Sequence, residues 1–249
     1  MGSYSKRLGN CQSFNHCQRL KEIRESEEKS HIAMYSNEQL YRCNCWLKKP
    51  IKTIQELIPL FSTYKKLRVL DLGCGVGRNC IEVASRYRRI DCRIDGVDIL
   101  PLAIEKLNEN AMEQDVSGNV CGIVSSIEEY IIPNDSYDLI MAVSALEHVE
   151  NQELFYQKLL EIREGICKNG IACLIINSNI REYNKITKEQ VPAQFEMNLP
   201  TEELQMILKK MFAGWTVLKS TVRDQQYDIP REWGISELKT RVVTLVVRK

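Results

Sequence analysis

VLDLGCGVGRN, residues 69–79, runs a short apolar segment into an acid, a cluster of glycines and the start of a polar-apolar helical pattern. Glycines at 73, 75 and 77 let the backbone turn tightly and approach a ligand closely, and the helix that follows offers free N–H groups and the positive end of its dipole. With LRVLDL (67–72) as a strand and NCIEVASRY (79–87) as a helix, the stretch is one βα unit. Open α/β sheets bind their ligands at this position, beyond the carboxyl end of a strand.

The spacing of the loop narrows the ligand. A dinucleotide loop, G-x-G-x-x-G, that starts at Gly73 and Gly75 needs glycine at 78, and this chain has Arg78. Asp71, two residues before the first glycine, lies outside that fingerprint and suits a positively charged amino group. Asp98 closes the next strand, CRIDGVDI (92–99), where a carboxylate can accept from both ribose hydroxyls. Together the two acids match an adenosyl amino acid better than a pyrophosphate.

Outward from the loop, strand and helix patterns alternate, the signature of a mostly parallel sheet with helices on both faces. Helix LAIEKLNENAM (102–112) repeats Ala103, Leu107 and Ala111 on one side, VCGIV (120–124) is a third strand and SYDLIMAV (136–143) a fourth. A helix from about Asn151 to Cys167, closed by Asn169-Gly170, leads to a fifth strand, IACLIIN (171–177). About twenty polar residues, Ser178 to Leu199, then separate that strand from the helix TEELQMILKKMF (201–212), for which Thr201 is the expected N-cap. WTVLKST (215–221) and RVVTLVV (241–247) have no crossover helix between them and are expected to pair antiparallel. The expectation is an α/β, Rossmann-like, mostly parallel seven-stranded sheet with helices on both faces and an antiparallel C-terminal strand. Residues 1–50 form an N-terminal helical extension, with a helical stretch near Leu20 to Glu28 and a mobile first dozen residues. Residues 51–249 form the binding domain, with an insertion at about 178–200.

At this point the chain resembles the class I S-adenosylmethionine-dependent methyltransferases, from about residue 67 to the C-terminus. The resemblance implies S-adenosylmethionine as cofactor, with Asp71, Gly73, Cys74, Gly75 and Gly77 around its methionine end and Asp98 with Ile99 at the ribose. It also implies Ser126 with Ile127 beside the adenine, and Val143 and Ser144, at the end of the fourth strand, facing the transferred methyl group. The adenine-side position is commonly an acid in that family; the hydroxyl of Ser126 can still hydrogen-bond the adenine amino group. LDLGCGVGRN, LPTEELQMIL with FAGWTVLK, and RVVTLVVRK resemble the tellurite-resistance-type methyltransferases more narrowly.

If an acceptor must lose a proton, His148, Glu147 and His31 are the candidate bases; Glu147-His148 also suits a pair that only caps a helix. Tyr35, Tyr41, Arg42 and Trp46, with the insertion 178–199, are expected to cover the methyl-donor end of the cleft and choose the acceptor, although the same aromatics suit a helix packed in the ordinary way. A nicotinamide-dependent oxidoreductase and a non-catalytic cofactor-binding module remain rival readings of the same architecture.

Composition limits the partners. The chain is 249 residues with 44% hydrophobic and 27% charged residues, and 34 Lys plus Arg against 33 Asp plus Glu give a formal charge of +1. With no global field to hold a polyanion, nucleic acid is not an expected substrate, and a small-molecule acceptor is. No apolar run is long enough for a membrane span and the N-terminus lacks the apolar core of a signal peptide, so a cytoplasmic protein is expected. Six of the ten cysteines (Cys74, Cys80, Cys92, Cys121, Cys167 and Cys173) fall in strands and helices and read as small apolar residues. Neither Cys43-Asn-Cys45 nor His16-Cys17 has the spacing of a zinc site, so no metal and no disulfide is expected.

Overall fold

A computed structural model describes residues 4–42, 45–231 and 233–249, with side chains described from residue 18 onward. Among them the helices are α1 (Tyr4–Asn37), α2 (Lys52–Leu57), α3 (Cys80–Tyr87), α4 (Pro101–Glu113), α5 (Gln152–Gly165) and α6 (Thr201–Met211). The strands are β1 (Lys66–Leu72), β2 (Asp91–Asp98), β3 (Val120–Val124), β4 (Tyr137–Val143), β5 (Ile166–Asn184), β6 (Gln190–Val191), β7 (Thr216–Arg231) and β8 (Gly234–Arg248). They lie in the order β3-β2-β1-β4-β5-β8-β7, and the two-residue β6 pairs with β5 off that path. β1 to β5 are mutually parallel, β8 is antiparallel to β5, and β7 is antiparallel to β8. The alternating pattern therefore gave the right class of sheet, with β6 as an added fragment.

A parallel sheet must bury both faces, and β1 shows how. Leu67 and Val69 lie in one cluster with Ile54, Ile81 and Leu107 of α2, α3 and α4 and with Phe61 of the 3-10 turn after α2. Leu70 and Leu72 point the other way, to Phe155, Leu159 and Ile162 of α5 and Leu204, Ile207 and Leu208 of α6. Strand order reverses between β1 and β4, and the carboxyl ends of β1, β2 and β4 meet there, which places the glycine loop at the crevice where such sheets bind ligands.

The largest departure from expectation lies beyond that crevice. The insertion is not simply a loop: β5 continues through Ser178 to Asn184, pairing with β8 at 236–241, while β7 runs on to Arg231. The result is a three-stranded antiparallel arm that projects past the carboxyl ends of the parallel strands. Its polar sequence hid it, because one inward position is Glu182, 1% exposed, whose charge is met by Arg231. The strand pair expected at 215–221 and 241–247 is correspondingly longer at both inner ends.

Smaller corrections have local causes. Thr201 is not an N-cap: Pro200 holds the cap position, and the Thr201 hydroxyl bonds that of Ser178 at 2.9 Å. α5 stops at Gly165, and Asn169, at φ +68°, turns the chain within β5 rather than closing the helix. A side chain on Gly165 would place Cβ 2.4 Å from Ile132 Cγ2, so that tight contact requires glycine. The helical stretch expected near residues 20–28 is part of the 34-residue α1.

Six cysteines are free thiols at the positions expected. Cys45 is not: it is disulfide-bonded, in the irregular stretch after α1 where placement in a strand or helix gives no guide. Cys43, and the side chains of His16 and Cys17, lie outside the described residues, as does the expected mobile start apart from the α1 backbone. Among the described residues no group of three or more His, Cys, Asp or Glu side chains is placed to hold a metal, and no helix is long and apolar enough to cross a membrane.

Phe155 is fully buried at the centre of the α5 layer. Phe155→Ala is expected to cost about 3–5 kcal/mol of unfolding free energy, read from urea denaturation followed by circular dichroism; a loss below about 1 kcal/mol would show that this layer is loosely packed.

Candidate active site

The glycine loop owes its shape to two constraints. Gly73, Gly75 and Gly77 have φ of +70°, +53° and +92°, which side chains with a Cβ rarely adopt. A Cβ on Gly73 would also lie 2.5 Å from Ala145 Cβ, and one on Gly77 2.5 Å from Leu107 Cδ1. The loop is thereby pressed against the segment that follows β4 on one side and against α4 on the other.

Two carboxylates flank it. Asp98, at the end of β2, accepts from the backbone N–H of Gly75 through Oδ2 (2.8 Å) and of Leu100 through Oδ1 (3.0 Å). Each oxygen has about two acceptor directions, so one on each remains for a ligand. Burial raises the Asp98 pKa, opposed by those two backbone hydrogen bonds and by His31 and His148. Asp71 lies under the loop, 1% exposed, and its Oδ2 meets no donor among the described residues. Burial pushes its pKa up to about 7 despite the nearby Arg78 guanidinium. A buried, unpartnered carboxylate oxygen costs free energy that a bound cation or water would recover.

The N-terminal aromatics converge on this loop. Tyr35, on α1, is 5% exposed, and its hydroxyl is 2.9 Å from where a Gly75 Cβ would stand. Tyr41 donates to the carbonyl of Arg78 (2.8 Å), while Arg78 donates to the carbonyl of Trp46 (2.9 Å) and lies 4.7 Å over its ring. Arg78 thus takes the place of a dinucleotide glycine by clamping the N-terminal segment. Arg42 does not join them: Tyr41 is in the left-handed region at φ +63°, the chain turns there, and Arg42 is exposed.

After β4 the chain makes a short 3-10 helix, Leu146–His148, so Glu147 and His148 do not cap a longer helix. Glu147 is wholly buried; its Oε1 accepts from the Asn177 backbone (3.2 Å) and side-chain amides, while Oε2 has no partner among the described residues. Burial raises its pKa, opposed by His148 and Asn177. For His148, burial favours the neutral ring, but its 3.0 Å hydrogen bond to Glu196 and the charges of Glu147, Glu196 and Glu27 outweigh this and raise the pKa to about 9. The ring also stacks on Phe195, centroids 5.1 Å apart. His31 lies on α1 beside Tyr35, with Nδ1 2.9 Å from the carbonyl of Glu27.

The remaining expected residues lie in and around the loop. Cys74 is buried, its amide donating to Val97 as that of Gly73 does, and Ile99 is 51% exposed next to Asp98. Ser126 receives the Glu129 amide (3.2 Å), and Ile127 reaches toward Gly73. Val143 is half-buried, and Ser144, at φ +51°, donates its amide to Ile175 and lies beside Asn177. Sequence reading missed Asn177, Phe195 and Glu196. Asn177 had a usable signal, a polar residue closing an apolar strand; the other two lie in a polar stretch with no period to mark them.

A family model described as a methyltransferase domain matches residues 64–226. (S)-coclaurine N-methyltransferase of Thalictrum flavum subsp. glaucum is 30% identical over 135 residues, which cover 51% of this chain and 36% of that protein. The matched segments span about a third of the length of this relative and of the Rauvolfia serpentina relatives alongside it. Among solved structures, TehB from Haemophilus influenzae superposes with a TM-score of 0.58 at 19% identity, covering 78% of this chain and 62% of its own. A Burkholderia thailandensis 1,6-didemethyltoxoflavin-N1-methyltransferase, solved with its acceptor and S-adenosylhomocysteine, gives 0.55 at 14% identity, covering 96% and 89%. At these identities the structural likeness concerns the fold.

The Asp71 environment is testable without any ligand. Its carboxyl carbon is expected to titrate with a midpoint near 7 by NMR, and the midpoint should move up in Arg78→Gln, which removes the opposing positive charge. A midpoint near 4 would show a solvated or paired carboxylate.

Proposed function

The chain belongs to the methyltransferase-domain family, and from that premise we propose that it binds S-adenosylmethionine at the carboxyl edge of β1, β2 and β4 and methylates a small-molecule acceptor. The observation that carries this reading is Asp98, which stands at the mouth of the glycine loop with one acceptor direction free on each oxygen. Two free acceptors on one carboxylate suit the vicinal hydroxyls of a ribose. Under the same loop, the unpartnered Asp71 Oδ2 suits an ammonium group, directly or through water. The residues present therefore fit an adenosyl amino acid, with Ile99, Ser126 and Ile127 on the adenine side and Val143 and Ser144 toward the methyl group.

When bound, S-adenosylmethionine supplies a sulfonium-activated methyl group that leaves by in-line displacement. The work of the protein is then to orient an acceptor and exclude water. In this reading the described part of the N-terminal extension, α1 with residues 45–50, and the arm that begins at Ser178 are the cover of the cleft. Tyr35 from α1 and Phe195 from the arm side, stacked on the His148 ring, are its aromatic surfaces.

Among the three candidate bases the geometry favours Glu147. His148, held protonated by Glu196, is a poor proton acceptor near neutrality and serves to fix Glu196 and Phe195. His31 sits on α1, with Nδ1 against the carbonyl of Glu27 and its ring beside that of Tyr35. Glu147 has a buried oxygen with no partner among the described residues and a raised pKa, which suits it to accept a proton from an acceptor or to face a cationic one.

Asp98→Ala is expected to weaken S-adenosylhomocysteine binding on the order of tenfold or more by calorimetry, from the loss of charged hydrogen bonds worth about 1.5–3 kcal/mol each. Unchanged affinity in a folded variant would remove Asp98, and with it the cofactor assignment.

A further inference from the structure

α1 is long, but little apolar packing holds it in place. Over the part whose side chains are described, only Leu20, Ile23 and Tyr35 are buried. A helix without a continuous apolar stripe needs other contacts to fix its position. Between Ile23 and Tyr35, where Met34 packs on the core, the other contacts are largely polar, and most of them come from the arm side of the cleft. Arg24 pairs with Glu128 (3.3 Å) and Glu196 (3.7 Å), Ser26 bonds Gln194 on the arm, and Glu27 meets Arg231 at 3.3 Å.

Arg231 differs from the others in its burial. Its side chain is 1% exposed at the tip of β7, and its guanidinium forks onto Glu182 of β5, itself 1% exposed, with Nε to Oε1 at 2.8 Å and Nη2 to Oε2 at 3.1 Å. Its remaining nitrogen, Nη1, reaches Glu27. One planar cation therefore joins β5, β7 and α1, and its bidentate geometry fixes orientation as well as distance. Glu27 and Tyr35 are eight residues apart, on the same side of α1 and separated by roughly 12 Å along the axis. Fixing Glu27 fixes where the Tyr35 hydroxyl lies against Gly75.

We infer that Arg231 is a positioning residue that latches α1 to the arm through Glu27 and so holds Tyr35 and His31 over the cofactor loop. The inference rests on reading α1 as the cover of that loop. It assigns a task to a residue 204 positions from its α1 partner that touches neither Asp98 nor the glycine loop. The latch sets how long a cofactor molecule stays, because the cover must lift for it to leave.

Arg231→Ala would strand the buried charge of Glu182 and could unfold the arm, so Glu27→Gln carries the test: it weakens the α1 limb and leaves the Arg231–Glu182 fork in place. In this variant, amide exchange over residues 20–37 is expected to quicken in the unliganded protein. Release of S-adenosylhomocysteine, followed by stopped flow, should quicken roughly tenfold, the scale of one lost charged hydrogen bond. The melting temperature of the sheet domain should hold. Glu27→Asp, which keeps the charge on a shorter stem, should fall between. Unchanged α1 exchange in Glu27→Gln would overturn the latch, and so would an unchanged release rate. If the wild-type protein does not bind S-adenosylhomocysteine, the cofactor reading fails, and α1 exchange without ligand still decides the latch.

Discussion

The arrangement at the carboxyl edge depends on the two backbone hydrogen bonds that Asp98 accepts. One comes from Gly75, in the loop after β1, and the other from Leu100, in the turn into α4, so a single carboxylate ties neighbouring βα units together at their ligand-facing ends. It can do so because Gly75 has no side chain and a positive φ, which brings its N–H to the β2 side. Both bonds are charge-assisted, the kind that fixes geometry as well as adding stability. They also leave acceptor capacity on both oxygens, so the group that holds the loop together is the one we propose for the ligand.

Around this tie, three carboxyl groups are wholly or partly buried, with Arg78, His31 and His148 as the positive groups that act on them. Asp71, Asp98 and Glu147 are all shifted upward by burial, and two of them keep an oxygen without a partner among the described residues. Groups of this kind destabilise an empty fold and favour a ligand that brings positive charge. The cover above them is more fully paired, through Arg24, Arg231 and the His148–Glu196 contact. The cleft therefore holds incompletely satisfied carboxyl groups, beneath α1 and an arm joined to it by ion pairs.

The part of this arrangement that was legible in the sequence is the part that is local. Asp71, the three glycines and Asp98 follow from one βα unit and the end of the next strand, where residue spacing fixes geometry. Tyr35, Tyr41 and Trp46 stood out by their aromatic character and do lie beside the glycine loop and Arg78, but the left-handed turn at Tyr41, which turns Arg42 outward, has no side-chain signature. The arm was hidden because its strands are polar and its inward charges, Glu182 and Arg231, find their partners only in the folded chain. Glu27, Glu182 and Arg231 read as ordinary surface residues until the fold brings together positions 27 and 231. Cys45 was misread because the expectation rested on placement within regular structure, and Cys45 lies outside it.

The claim most exposed to direct measurement is that the cleft between β1, β2 and β4 receives an adenosyl amino acid. A crystal structure of the protein grown with S-adenosylhomocysteine measures this in one step. The account requires the ribose hydroxyls on the Asp98 carboxylate, the amino group on the Asp71 side of the glycine loop, and the sulfur facing the segment from Val143 to Glu147. Nucleoside density at another surface of the molecule, or a ribose that bypasses Asp98, would contradict it.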